Sequence, residues 1–553
     1  MVMYSKEWIK ELSRTMKRDE LERLLLTLVE GAGIETFKEQ VASEILRITR
    51  PEDVIPHVYG RYRQIVHDGI FFLLSRLSTP RLIHLGIDQI VLEDTVDIQC
   101  RLIELAKAIP TLHKLGQTIA RNRHVDPSFK HWLIQLENGI YGTDAAPVAA
   151  KIRNELGSLV EKYSIRLENG ILAEASVGVV IPFTWTDPDT GKTEKGVFKV
   201  LKPHVMERLG EELYLLDEAA LFFERNKERY PFRDFRFIET FRDIKTALEA
   251  EMNLSGEQVN LKKAFDFYKG TGSRIPLVLP FSSPRITAMN RTEGCKITDT
   301  AMNAAEKKEF ARSLFEMIIW KPLCSWEDHT VFHGDPHAGN IHAFRDPITG
   351  KVNEILLDWS QAGSLSKYQR IHMIKLVMGI AAKDIQMICD AVQKLSEPDF
   401  LNKEIEQIIK DIITHQDDTV CGFVEKTFTV IDQTALKGIR FPRDLLLFRK
   451  TFFTLEGVLY DLDPDFDIDG CMMKLTSDLL TEELPLRWTC MLFPQFDNPE
   501  RYRLPVSNKD LQLFWLRVFT ETMVRVWSNI GILMLPPVPT LFLPDSLPQT
   551  PEI

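Results

Sequence analysis

Apolar residues recur at helical spacing through the first part of the chain. Residues 81–135 carry a long amphipathic pattern with a period of about 3.6 residues, interrupted at Pro110 and Pro127. The pattern predicts a helical region over residues 1–165. No internal repeat or long low-complexity linker is visible.

Strand-like patterns follow this helical region. Apolar runs at 179–185 and 196–201 flank a turn-rich stretch at 186–192, which predicts a β-hairpin. A further strand is expected at 286–290, where it would lead into a hinge with backbone groups able to bind adenine.

These patterns predict an α+β protein in four parts. They are a helical N-terminal extension (1–165), a small lobe of strands and an acidic helix (166–290), a mainly helical lobe (291–490), and a C-terminal helix with a proline-rich tail (491–553). At 553 residues the chain is long enough for two or three domains.

Charge and composition argue against nucleic acid, anionic lipid and disulfide-rich secreted proteins as the setting of this chain. The net charge of −11 argues against nucleic acid as a main partner and disfavours strong electrostatic attachment to anionic lipid. The seven cysteines include no C-x-x-C pair, which is typical of a reduced intracellular protein. No signal peptide is visible, and the longest apolar runs, 70–74 and 530–535, are too short for a membrane span. We therefore predict a cytoplasmic protein.

One pattern near the C-terminus leaves peripheral membrane contact open. Over residues 511–530, apolar residues fall at helical spacing with charged residues between them. A packed helix is favoured over contact with a membrane surface. The apolar positions are Leu511, Phe514, Trp515, Val518 and Phe519.

The strongest chemical signal is residues 332–340, F-H-G-D-P-H-A-G-N. Asp335 and Asn340 keep the H-x-D-x-x-x-x-N spacing of kinase catalytic loops. Asp358 follows a short apolar run, 355–357, which predicts a buried strand. Because magnesium prefers hard oxygen ligands, Asn340 and Asp358 are predicted to bind it. Asp335 would orient the accepting hydroxyl or water.

Two other metal-site patterns are weaker. His333 and His337 are four residues apart, as zinc ligands on a helix are, but Pro336 breaks such a helix. Residues 465–470 resemble the first half of a calcium-binding loop, yet position twelve is Thr476 instead of glutamate. We expect neither zinc nor calcium at these positions.

A lysine and an acidic residue are also needed in a kinase-type site. Lys199 alternates with apolar neighbours in the second strand of the predicted hairpin, and we predict that it contacts phosphate. A long helical stretch, about 236–268, carries Glu249, Glu251 and Glu257. Spacing alone does not decide which acid pairs with Lys199.

Together these motifs resemble the UbiB/AarF family of atypical kinase-like proteins, which is associated with isoprenoid quinone biosynthesis. The resemblance covers about residues 105–470 and implies a two-lobed protein-kinase-like fold with a helical N-terminal extension and a mainly helical C-lobe. It rests on Lys114-Leu115-Gly116-Gln117 as a K-x-G-Q motif, Ala173-Glu174-Ala175-Ser176-Val177-Gly178 as an alanine-rich loop, Val197-Phe198-Lys199 with Lys202-Pro203, Glu251-Met252-Asn253 with Glu257 and Asn260, the loop from His333 to Asn340, and the late segment Leu455-Glu456-Gly457-Val458.

The resemblance implies roles for these residues. ATP and magnesium would be the cofactors, and Glu257 would be the acid that faces Lys199. A regulatory extension over the pocket would comprise Lys114, Gly116, Gln117, Glu251 and Asn253. Contacts to ATP would come from Ala173, Ala175, Ser176, Val177, Gly178, Lys199, Met289 and Asn290.

Three positions depart from the family pattern. Asn253 stands in place of an aspartate, Asp358-Trp359-Ser360 stands in place of D-F-G, and Glu174 stands in place of alanine. A carboxylate near ATP phosphates is repulsive. We therefore expect Glu174 to point outward, or the nucleotide to sit differently.

The favoured function is an ATP- and magnesium-dependent atypical kinase or ATPase, supporting isoprenoid quinone or lipid metabolism, with a nucleotide and an isoprenoid lipid or quinone precursor as partners. Two alternatives stay open. One is a small-molecule phosphotransferase of the aminoglycoside or choline type, which also uses H-G-D and D-W motifs, although the extension at 114–117 argues against it. The other is a nucleotide-gated lipid-binding scaffold with little turnover.

Overall fold

The computed structural model describes residues 6–30, 33–55, 60, 63–112, 143–174, 177–203, 205–230, 237–397, 406–410 and 422–520. The chain divides into two compact units. The first comprises residues 1–319, 331–364 and 447–466, and the second comprises 320–330, 365–446 and 467–553.

Helices fill the described part of the N-terminal region, so the helical prediction is confirmed there. Their apolar stripes meet in a core that includes Ala42, Leu74 and Leu82, all fully buried. The helices are α1 (Lys6–Thr15), α2 (Arg18–Glu30), α3 (Ile34–Thr49), α4 (Arg63–Arg76), α5 (Thr79–Val91), α6 (Ile98–Ala108), α7 (Ala145–Leu156) and α8 (Leu159–Lys162).

An antiparallel sheet follows, and it contains the predicted hairpin and the predicted strand at 286–290. The strand order is β1-β3-β4-β5, with β2 also paired to β3. Alternation along β3 and β4 buries Phe183 and Phe198, whose rings stack with centroids 4.0 Å apart. The strands are β1 (Arg166–Leu167), β2 (Ala173–Glu174), β3 (Gly178–Thr186), β4 (Thr193–Leu201) and β5 (Ile286–Asn290).

The helical stretch expected over 236–268 is two helices, so the prediction of one continuous helix is wrong. After α9 (Val205–Arg225) come α10 (Phe237–Met252) and α11 (Leu254–Phe267). Asn253 separates them, and its side-chain oxygen accepts a hydrogen bond of 2.9 Å from the Gly256 N–H. An asparagine in this position caps a new helix, which turns the chain between α10 and α11.

Short strands and helices complete the first unit around the loop from His333 to Asn340, the predicted catalytic loop. One sheet has the order β6-β8-β9, and β7 pairs with β10. The strand predicted at 355–357 is the end of β9, confirmed up to Leu356. The elements are β6 (Cys295–Lys296), α12 (Ala304–Phe315), β7 (His329–His333), β8 (Ile341–Arg345), β9 (Val352–Leu356) and β10 (Ala362–Ser366), while the short α13 (Lys321–Leu323) belongs to the second unit, as do the first two residues of β7 and the last two of β10.

The second unit is mainly helical. Asp467 caps α18 by accepting a hydrogen bond of 2.8 Å from the Gly470 N–H, so the acidic run at 465–470 begins a helix. The helices are α14 (Lys367–Ala381), α15 (Ile385–Leu395), α16 (Phe423–Leu436), α17 (Arg443–Leu462) and α18 (Ile468–Leu492). Residues 447–462 of α17 belong to the first unit.

The predicted C-terminal helix is seen over residues 508–520. The packing predicted for its apolar face is wrong for two of the five positions, since Trp515 and Phe519 are more than half exposed. Among the described residues, no helix is both long enough and apolar enough to span a bilayer.

Candidate active site

Lys199 lies at the centre of a charged cluster. In the sheet it stands opposite Val180 on β3 and Thr287 on β5. Its neighbours in β4 point to the buried face, so Lys199 projects from the other face. Its Nζ atom lies 2.7 Å from Glu257 Oε1 and 3.2 Å from Asp358 Oδ1. Residues far apart in the sequence therefore meet at one ammonium group.

Glu257 reaches Lys199 because α11 begins anew at Asn253. The carboxylate sits in the first turn of that helix and is 2% exposed. Its Oε2 atom has no hydrogen-bond partner among the residues that the structure describes. A buried oxygen without a partner is costly, and it indicates a site that a ligand or water completes.

The three charged groups shift one another's pKa. Burial alone would lower the pKa of Lys199, but the charges of Asp358 and Glu257 raise it above its ordinary value. Burial raises the pKa of Glu257 to about 7, since the charge of Lys199 offsets only part of the cost of leaving water. Burial opposes ionisation of Asp358 too, yet Lys199 and hydrogen bonds from Ser360 hold the pKa of Asp358 well below its usual range. Such opposed shifts in one cluster are typical of functional sites.

Asp358 is held in an unusual backbone conformation. Its φ angle is +54°, in the left-handed region that non-glycine residues rarely adopt. The Ser360 N–H donates to Asp358 Oδ1 at 3.2 Å. Trp359 is fully buried, its indole N–H donates to the Leu356 carbonyl at 3.1 Å, and its own carbonyl accepts from Asn260 Nδ2 at 3.0 Å. These contacts hold Asp358 in its strained conformation.

His333 connects the catalytic loop to the strand that precedes Asp358. Its Nε2 lies 2.8 Å from the Leu357 carbonyl, and its Nδ1 accepts from the Asp335 N–H at 3.1 Å. This pairing assigns the proton to Nε2, and burial lowers the pKa of the ring. Both ring nitrogens of His333 are therefore used in hydrogen bonds. His337 Nδ1 accepts from the Gly339 N–H at 3.0 Å. Both histidines thus stabilise the conformation of the loop.

Asn340 presents its amide oxygen as a possible metal ligand. The Nδ2 group donates to the Asp335 carbonyl at 3.1 Å, which leaves Oδ1 as the acceptor. The Asn340 carbonyl accepts from the Leu357 N–H at 2.9 Å, so Asn340 sits beside the segment that carries Asp358. One carboxylate and one amide oxygen, with water and phosphate oxygens, fit magnesium.

Glu174 does not point outward, so the first of the two alternatives expected for it is wrong. Its side chain is 4% exposed and lies 2.8 Å from Lys202 Nζ, and Thr143 Oγ1 donates to it at 2.6 Å. Lys202 neutralises the carboxylate, which removes the need for it to reach water. Where the family pattern has alanine, this chain therefore has a glutamate that pairs with Lys202 at the base of the alanine-rich loop.

The remaining predicted ATP contacts lie in or beside strands β2, β3 and β5. Ala173 is in β2, Val177 is buried, and Gly178 begins β3. The Asn290 N–H donates to the Leu277 carbonyl at 3.0 Å, and the Asn290 side chain accepts from the Leu277 N–H. An adenine bound through the Asn290 backbone N–H would therefore have to displace the Leu277 carbonyl. Met289 is 9% exposed at the end of the same strand.

Part of the predicted regulatory extension lies outside the described residues, namely Lys114, Gly116 and Gln117, as do Ala175 and Ser176 of the alanine-rich loop. Glu251 lies near the end of α10, and Asn253 caps α11. The roles inferred for these residues stay predictions.

Lys450 is a site residue that the sequence did not reveal. Its Nζ lies 3.9 Å from Asp335 Oδ1 and 2.9 Å from Gln361 Oε1. It comes from α17, far along the chain from the catalytic loop. No spacing rule connects a lysine in this helix with Asp335, so only the fold brings them together.

The sequence is similar to those of known kinase-like proteins. Residues 135–392 match the ABC1 atypical kinase-like domain. The uncharacterized protein sll0005 of Synechocystis is 25% identical over 378 residues, covering 65% of this chain and 52% of that protein. The probable protein kinase UbiB of Shewanella woodyi is 26% identical over 387 residues, 65% of each chain. The chain thus spans about half the length of the first relative and about two thirds of the second.

These matches define a kinase-like protein of α+β fold. The chain is similar to proteins named UbiB, and its middle part matches the ABC1 atypical kinase-like domain, which supports the resemblance to the UbiB/AarF family predicted from its motifs. A solved structure, the Rv3197–erythromycin complex from Mycobacterium tuberculosis, aligns with 66% of this chain and 91% of that chain at 16% identity. Its TM-score of 0.39 is too low to bear on function.

Proposed function

We propose that the protein binds ATP with magnesium and transfers or hydrolyses the terminal phosphoryl group, as an atypical kinase or ATPase that supports isoprenoid quinone or lipid metabolism. The observation that carries the proposal is the convergence of Lys199, Glu257 and Asp358 within hydrogen-bonding distance. The quinone or lipid context is supported by the UbiB relatives alone.

The contacts of Lys199 suggest how nucleotide would enter the site. Without a ligand, the ammonium group is shared between Glu257 and Asp358. When bound, magnesium would be held by Asp358 and Asn340 and would neutralise charge on the phosphates. Asp358 would then exchange Lys199 for the metal, while Glu257 keeps Lys199 oriented toward phosphate.

Asp335 is the group proposed to orient the acceptor. Its backbone is fixed by the His333 ring and by the Asn340 amide. Its side chain is 7% exposed. A carboxylate whose position is fixed in this way can align a hydroxyl or water for attack on phosphorus.

The test is a thermal-shift titration with ATP, with and without magnesium, on the parent and on Asp358→Ala. Ligand that binds only the folded state raises the unfolding midpoint. We expect the magnesium-dependent part of the shift to disappear in Asp358→Ala. Asp189→Ala is the matched control, because Asp189 is an exposed carboxylate in the turn between β3 and β4.

An unchanged magnesium-dependent shift in Asp358→Ala would contradict the proposed site. A phosphate-release assay, with and without isoprenoid lipid, then separates the alternatives. Turnover supports the enzyme. Binding without turnover in either condition supports the nucleotide-gated scaffold, and transfer to an aminoglycoside or choline supports the small-molecule phosphotransferase.

A further inference from the structure

Helix α17 packs directly on the catalytic loop, a role that the proposed function does not use. Thr451 Oγ1 donates to the His333 carbonyl at 3.0 Å. The ring of Phe448 meets Phe332 edge to face, with centroids 4.9 Å apart. These buried contacts fix the helix at the residue two positions before Asp335.

The same helix also touches the loop at Gly334. A Cβ atom at Gly334 would lie 3.1 Å from Leu447 Cδ2 and 2.9 Å from the Gln361 carbonyl. The Gly334 N–H donates to that carbonyl at 2.9 Å. The loop, the segment after Asp358 and α17 therefore meet with no room for a larger residue.

Lys450 projects from this helix to the edge of the site. Its Nζ atom donates a 2.9 Å hydrogen bond to Gln361 Oε1, and its distance of 3.9 Å from Asp335 Oδ1 is too long for a hydrogen bond. The lysine side chain is 42% exposed, whereas that of Asp335 is 7% exposed. Gln361 thus holds a partly exposed ammonium close to Asp335.

Phosphoryl transfer needs positive charge where the transferred group meets its acceptor. Lys199 is already engaged by Glu257 and Asp358, on the side where the nucleotide phosphates would lie. Lys450 is a cation beside Asp335, on the side where the acceptor would lie. The lysine ammonium is carried on a flexible four-carbon stem, so it can follow charge as it moves from ATP to the acceptor.

We propose that Lys450 is a catalytic residue, whose ammonium contacts the phosphoryl group as it passes to the acceptor oriented by Asp335. The acceptor oxygen, from a hydroxyl or water, forms a bond to the γ-phosphorus as the bond to the β-bridging oxygen breaks. ADP leaves, the acceptor proton passes to Asp335 or solvent, and Lys450 keeps its own protons. The inference rests on the proposed function and adds an acceptor-side residue to it.

The experiment compares Lys450→Met and Lys450→Arg with the parent. We expect kcat for ATP turnover to fall about 100-fold in Lys450→Met, as on removal of one preorganised donor to a transition state, and to recover in part in Lys450→Arg. The affinity for Mg-ADP should stay within about twofold, while that for Mg-ADP with aluminium fluoride, a mimic of the transferred group, falls at least tenfold. Lys308→Met is the control, since Lys308 is an exposed lysine of α12.

The possible outcomes distinguish a failure of the role proposed for Lys450 from a failure of the proposed function. Parent-like turnover and parent-like aluminium fluoride affinity in Lys450→Met would overturn the role of Lys450, while Asp358→Ala still tests the nucleotide site. Equal losses for Mg-ADP and for the mimic would also overturn it, because they indicate a structural role. If Lys450→Met unfolds, the same ratio of affinities measured in Lys450→Gln decides the question. A parent that neither binds nor turns over Mg-ATP would instead refute the proposed function.

Discussion

Two buried ion pairs, one in each unit, show what separates a structural cluster from a functional one. In the second unit, Arg487 pairs with Glu483 one turn earlier in α18, and both side chains are at most 5% exposed. In the first unit, Lys199 pairs with Glu257, with the two side chains 13% and 1% exposed. The two pairs differ in how completely their remaining polar atoms are bonded.

The Arg487 pair is satisfied by the chain that folds over it. The guanidinium donates to Glu483, to the Val506 and Leu504 carbonyls and to Asn508 Oδ1. The other Glu483 oxygen accepts from backbone N–H groups at 503 and 504. With its donors and acceptors used internally, this cluster needs no ligand.

The Lys199 cluster is incomplete by the same measure. Glu257 Oε2 lacks a hydrogen-bond partner within the described part of the chain, and burial raises the pKa of Glu257. Asp358 holds a left-handed backbone angle. Unsatisfied, strained and pKa-shifted groups together indicate a site arranged for something that binds there.

The largest effect on stability is expected from the satisfied pair. Arg487→Met should lower the free energy of unfolding by about 3–5 kcal/mol, because Glu483 would stay buried without its partner. Urea denaturation measures the change. The magnesium-dependent nucleotide shift should be retained in whatever fraction folds. A loss below about 1 kcal/mol would mean that Arg487 is not the support that its contacts indicate.

A smaller effect, with a distinct pH dependence, is expected at Glu257. Its pKa in the folded protein is about 7 against an ordinary value of 4.5, so between these values the folded state binds more protons. Its contribution to stability is fully present below the unfolded pKa and is lost as pH rises through about 7. The difference in unfolding free energy, parent minus Glu257→Gln, should fall by about 2 kcal/mol from pH 5 to pH 8. Denaturation curves at several pH values measure it, and a flat or rising difference would contradict the raised pKa.

The parts of the site that the sequence predicts are those built from local patterns. The hairpin follows from alternation and a turn-rich stretch, and its pairing around Lys199 is confirmed. Motif spacing predicts the loop with Asp335 and Asn340, and an apolar run predicts the strand that leads to Asp358. Both signals lie in residues close together in the sequence.

The parts that escape prediction depend on contacts between distant segments. Spacing alone does not choose Glu257 from the three acids, because the choice depends on the helix break at Asn253, and periodicity predicts one continuous helix there; only the family resemblance names Glu257. Lys450 reaches Asp335 only through the packing of α17. Glu483 and Arg487, four residues apart, have the spacing of an exposed helix pair, and only the later chain over them makes that pair buried.

The smallest effect should come from an ion pair beside the buried one. Glu482, adjacent to Glu483, lies 2.9 Å from Arg503, with the two side chains 65% and 39% exposed. Water screens this pair and solvates either charge alone, so Glu482→Gln should change the free energy of unfolding by at most about 0.5 kcal/mol. Urea denaturation alongside Arg487→Met makes the comparison within one helix. If the two losses were equal, burial and complete hydrogen bonding would not be what distinguishes these pairs, and the contrast with the Lys199 cluster would lose its physical basis.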